Sequence, residues 1–126
     1  MKTKLGLISI IVIATMCITA CPALEQNARD TAAALNGAIT AAQSQYQTEC
    51  KSNPSEKQCL IINEAIDGQN ALVTASEAYC GWSVTAPPPN PGKTPCVPVK
   101  SAQAGLQTAI ANANLFITEV KGVIKP

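Results

Sequence analysis

The chain has no histidine and few aromatic rings: one Phe, one Trp and two Tyr in 126 residues. Without imidazole it lacks the side chain that most readily changes charge near neutral pH. The usual general base and the His-paired Ser or Cys nucleophile are therefore absent, as is the commonest metal ligand. There is no glycine-rich phosphate loop and no Cys-x-x-Cys pair, which argues against phosphate chemistry of that type, thiol redox catalysis and a metal centre. Charged residues are only 13% of the chain, and nine Lys and Arg nearly balance eight Asp and Glu. That balance leaves no basic footprint for nucleic acid. The apolar run near the start, Leu5 to Ile18, falls short of the ~20 residues that cross a bilayer comfortably.

What the N-terminus does have is Lys2 and Lys4, then that short apolar run, then Ile18-Thr19-Ala20-Cys21. A positive end, an apolar stretch and a small residue before a cysteine form an export pattern. The junction resembles the bacterial lipoprotein signal, a resemblance confined to this segment. It implies a signal peptide over 1–20, transfer of diacylglycerol to the Cys21 thiol, and cleavage that leaves Cys21 as the first residue. Two or more acyl chains make such attachment durable. The resemblance further implies a place in the bacterial cell envelope. Pro22 rather than Asp after the lipidated cysteine points, in a host with two membranes, to the outer membrane, facing the periplasm or the exterior. Cys17 reads as a small apolar residue of the discarded segment.

Residues 21–126 then form one small domain. Two of the nine Lys and Arg lie before it, so seven bases against eight acids give a side-chain charge of −1. Three stretches carry helical periodicity. In the first, Leu24, Ala28, Ala32, Leu35, Ile39, Ala42, Tyr46 and Cys50 step by three or four, with Glu25, Arg29, Asn36, Gln43, Gln47 and Thr48 on the polar side. The second is predicted to open at Asn53-Pro54-Ser55-Glu56, with Asn53 as N-cap and Pro54 at the first helical position. It runs to about Cys80 on Ile62, Ile66, Gln69, Val73, Ser76 and Cys80, widened by Ala65, Leu72 and Tyr79. Gly68 in its middle marks a bend or a close helix contact.

Gly81 and the proline-rich segment 86–95 interrupt the helical pattern, since proline removes backbone donors and fixes φ. A third helix is predicted from near Pro98 to about Ile124. Its inward residues are Val99, Ala102, Leu106, Ala109, Ile110, Ala113, Phe116, Ile117, Val120 and Val123. Each helix has roughly 27 residues, or ~40 Å at helical rise. Matched lengths in series predict an all-α, antiparallel three-helix bundle, up-down-up.

With Cys21 assigned to lipid, Cys50, Cys59, Cys80 and Cys96 remain, an even set in an oxidising compartment. Joining Cys59 to Cys80 would span ~30 Å along one helix, against a Cα limit near 7 Å. Joining Cys50 to Cys80 would link opposite ends of the bundle. The spacing therefore predicts Cys50 with Cys59 and Cys80 with Cys96, two crosslinks that close loops between neighbouring helices.

Candidate chemistry is sparse. Glu64 and Asp67 are three apart on one helix and read as solvated acids rather than a catalytic pair. The candidate interface is Tyr79, Trp82, Pro88 and Pro91, an aromatic pair beside a proline segment. No catalytic, cofactor or metal residue is expected, and no nucleic-acid partner. The sequence favours a non-enzymatic envelope lipoprotein, held in the membrane through its lipid and contacting an envelope protein. The alternative is a helical module that binds a small ligand or lipid.

Overall fold

A computed structural model describes the backbone of residues 2–80, 96 and 98–126, with side chains from residue 23 onward. The lipid attachment expected at Cys21 lies outside the described side chains, and Trp82, Pro88 and Pro91 lie outside the described residues. Three α-helices follow one another, α1 (Lys2–Ser52), α2 (Lys57–Cys80) and α3 (Gln103–Val123), the last preceded by a 3-10 turn at Lys100–Ala102. The expected Leu24–Cys50 stripe sits inside α1.

The α1–α2 connection differs from its predicted form. The Asn53 N–H donates to the Glu49 carbonyl at 2.8 Å and closes α1, while the Glu56 N–H donates to the Asn53 carbonyl at 3.1 Å. Asn53 to Glu56 is thus a turn with Pro54 in its second position, where a fixed φ is as suitable as at the start of a helix. The first α2 bond runs from the Leu60 N–H to the Glu56 carbonyl, 3.0 Å. Glu56, not Asn53, therefore precedes the helix. Across the turn the Gln58 amide donates to the Glu49 carboxylate at 2.6 Å.

Contacts at the helix ends fix the direction of each element. Cys50 at the end of α1 is bonded to Cys59 at the start of α2. At the opposite pole Glu25 of α1 accepts a hydrogen bond from the backbone of Cys96, itself bonded to Cys80 at the end of α2. The Tyr46 hydroxyl of α1 donates to the carbonyl of Val123, the last residue of α3. So α1 and α3 run parallel and α2 runs against both, the up-down-up order expected, although the helices have 51, 24 and 21 residues rather than matched lengths.

The core is one cluster with all three helices contributing to it. Leu35 of α1, Leu72 of α2 and Leu106 of α3 are fully buried. Burial of each leucine contributes about 1.5–3 kcal/mol, which must offset the entropy of ordering a long chain. Ala28, Ala32, Ala42, Ala65 and Ala113 are buried as well, and their lack of side-chain volume lets the helices approach closely. On α2 the buried line is Cys59, Ile62, Ala65, Gly68, Leu72, Ser76 and Tyr79. The residues expected to widen the stripe are thus its centre, and Ile66, Val73 and Cys80 flank it. Val99, expected to face inward, is 48% exposed. It is held through its backbone instead, its N–H donating to the Tyr79 carbonyl at 3.1 Å.

At Gly68, α2 packs tightly against α3. A Cβ built there would collide with the ring of Phe116, so glycine permits the close helix contact its position suggested. Past α3 the chain is tied back to α1. The Lys125 N–H donates to Oε1 of Gln45 at 2.9 Å, and Nε2 of the same residue donates to the Lys125 carbonyl at 3.4 Å.

The two crosslinks fall where cysteine spacing puts them. Cys50–Cys59 and Cys80–Cys96 join residues 9 and 16 apart, with Cα separations of 5.5 and 5.2 Å. Loops of that length restrict the unfolded chain by about 3 kcal/mol each. Among the described residues no helix is long and apolar enough to cross a membrane.

Candidate ligand site

Between α1 and α2, beside their connecting turn, lies a cleft of about 460 Å³. From α1 it takes Thr40, Gln43, Ser44, Tyr46, Gln47, Cys50 and Lys51, and from α2 Cys59, Ile62 and Asn63. Their spacing explains the arrangement. Thr40, Ser44, Gln47 and Lys51 advance by three or four, with Gln43 beside them, so they form one ridge along α1, adjacent to the buried line that ends at Tyr46.

The lining divides by chemistry. Tyr46, Ile62 and Cys59 are buried and supply an apolar floor together with the Cys50–Cys59 bond. Gln43, Gln47 and Asn63 offer amides, Thr40 and Ser44 offer hydroxyls, and Lys51 is the single charge. Amides donate and accept, hydroxyls do both, and an ammonium only donates. Such a wall suits a small polar molecule carrying hydroxyl or carboxylate groups above an apolar face. The volume lies in the range of small-molecule pockets.

A second cluster lies at the other pole. Glu25 is 7% exposed although it is an acid. A carboxylate is costly to bury unless paired and hydrogen-bonded, and Glu25 is both. One oxygen accepts from the Arg29 guanidinium at 3.2 Å, the other from the Cys96 N–H at 2.9 Å. A carboxylate oxygen of Glu25 and the sulfurs of Cys80 and Cys96 all lie within 4.8 Å of one another. In the crosslinked state those sulfurs are bonded to each other and have no thiolate to offer a metal. The pair is then a structural tie with a buried acid against it.

No protein-family model matches this chain, and no curated protein or solved structure matches it significantly. The site must be judged on its own residues.

Of the residues singled out in sequence, Tyr79 is buried in the core, 1% exposed, and presents no ring to a partner while the bundle is closed. Glu64 and Asp67 are exposed on α2, where isolated acids are solvated. The four cysteines pair as their spacing required. Sequence reasoning passed over Glu25, which it assigned to the polar face. The signal was present, since Glu25 stands three residues before Ala28 and so continues the buried line toward the N-terminus.

Proposed function

We propose that this chain is a non-catalytic helical module that holds a small polar ligand in the α1–α2 cleft, displayed from a lipid anchor at Cys21. The observation that carries the ligand reading is the cleft itself, about 460 Å³ with amide, hydroxyl and ammonium groups above an apolar floor. Its polar walls favour a hydroxylated or carboxylated small molecule over a lipid chain, whose tail would leave those groups desolvated and unpaired. The anchor and the envelope location rest on the Lys2, Lys4 and Ile18-Thr19-Ala20-Cys21 pattern. The protein-contact role rests on Trp82, Pro88 and Pro91, outside the described residues, so the ligand reading takes precedence.

Backbone-amide NMR during titration with a panel of sugars and small carboxylic acids tests the proposal. Saturable shifts are expected at Gln43, Gln47 and Asn63, with Lys51→Ala weakening the acids selectively. A panel that moves none of these amides would leave the cleft an unused surface depression and sink the reading.

A further inference from the structure

We propose that the pole carrying Cys80 and Cys96 is a redox-gated metal site: once the disulfide is opened, the two thiolates and the Glu25 carboxylate bind one zinc-class ion. The site is separate from the α1–α2 cleft and does not depend on a ligand there.

The geometry needs little change. A tetrahedral zinc with sulfur at about 2.3 Å and oxygen at about 2.0 Å sets its ligand atoms roughly 3.3–3.8 Å apart. The Glu25 oxygen and the two sulfurs already lie within 4.8 Å of one another. On reduction the sulfurs separate from bonding distance, and rotation about their side-chain bonds supplies the rest while the Cα atoms stay near 5.2 Å. The ligands come from α1, from the end of α2 and from the approach to α3. An ion there ties the same two segments as the crosslink does, and adds α1 through a direct bond.

The charges also close. Two thiolates and one carboxylate carry three negative charges, and the divalent ion with the Arg29 guanidinium beside Glu25 carries three positive ones. A neutral assembly is what a half-buried site requires. Arg29 and the Cys96 N–H hold the carboxylate from behind, the role outer partners play in fixing a metal ligand. Two thiolates select zinc, cadmium or copper(I) over magnesium and calcium, and with no histidine in the chain the sulfurs must supply that preference. Three protein ligands leave a fourth position for water.

The gate is a thiol–disulfide exchange. A dithiol reductant gives two electrons and two protons to the Cys80–Cys96 bond, producing two thiols while the reductant closes its own disulfide. Ion binding then displaces the two thiol protons to solvent. Exchange with a disulfide oxidant takes back the two electrons, re-forms the Cys80–Cys96 bond and expels the ion, while the oxidant leaves as two thiols with two protons from solvent.

The test uses the full exported chain carrying Cys50→Ser and Cys59→Ser, so that Cys80 and Cys96 are its only paired cysteines. Zn²⁺ and Cd²⁺ are titrated against the oxidised and reduced protein, with circular dichroism on the same samples. One ion per reduced chain is expected and none per oxidised chain, with sulfur-to-cadmium charge-transfer absorption proportionate to two thiolates. Glu25→Gln keeps an acceptor for the Cys96 N–H but removes the charge, and weakens binding by at least about 10-fold. Helicity lost on reduction and regained with zinc supports the site equally. The proposal is overturned by a reduced chain that binds no ion, or by binding that persists unchanged in Cys80→Ser/Cys96→Ser. Equal affinity in the Glu25→Gln variant, or a reduced chain that zinc leaves unfolded, overturns it too.

Discussion

The ring of Phe116 occupies the space that a side chain on Gly68 would need, so α2 and α3 meet there without a Cβ between them. Gly68→Ala must displace the ring, and overpacking of this kind costs about 1–3 kcal/mol. Gly37 on α1 has open space around its Cβ position. Gly37→Ala therefore gains helix propensity and stabilises by about 0.5–1 kcal/mol. Urea midpoints of the two variants should move in opposite directions, and a shared direction would remove the packing account.

Tyr46→Phe removes the hydroxyl that binds the Val123 carbonyl at the end of α3. The expected loss is about 1 kcal/mol, the net worth of one hydrogen bond. Hydrogen exchange should quicken first at Ile124, whose N–H donates to the Val120 carbonyl, and at Lys125, whose N–H donates to Gln45 of α1. Uniform acceleration along α3 would show that the contact is not local.

Leu72 is completely buried and Leu115 is 64% exposed. Truncating Leu72 to alanine leaves a cavity and should cost about 2–5 kcal/mol, whereas Leu115→Ala should stay within about 0.5 kcal/mol. Thermal unfolding monitored at 222 nm separates the two, and comparable losses would place the core elsewhere.

Removing Cys50 and Cys59 together as serines should lower stability by about 3 kcal/mol, because the unfolded loop is released. The same change disturbs the floor of the cleft. Ligand-induced amide shifts at Gln47 should shrink even where circular dichroism shows the helices intact. Unchanged shifts would mean that the crosslink serves stability alone.

Much of this fold was legible because its signals are local and periodic. Ala28 to Tyr46 step along one face of α1, and all of the stripe between them is buried. Four cysteines at helix ends admit one pairing that respects chain length. Other features escaped because they depend on neighbours from elsewhere in the chain. Pro54 fits a turn as well as a helix start, and the Glu49 and Asn53 carbonyls decide which. Val99 continues a helical period, yet the chain reaches its helix only after a 3-10 turn. Glu25 looked like solvated charge because nothing local shows that Cys96 approaches it from 71 residues away. The cleft combines two polar helix faces, each unremarkable when read singly.

The Cys80–Cys96 bond also changes what a cut in the intervening segment would do. A peptide bond broken anywhere between those two residues yields two polypeptides that remain one molecule, because α3 stays joined to α2 through sulfur.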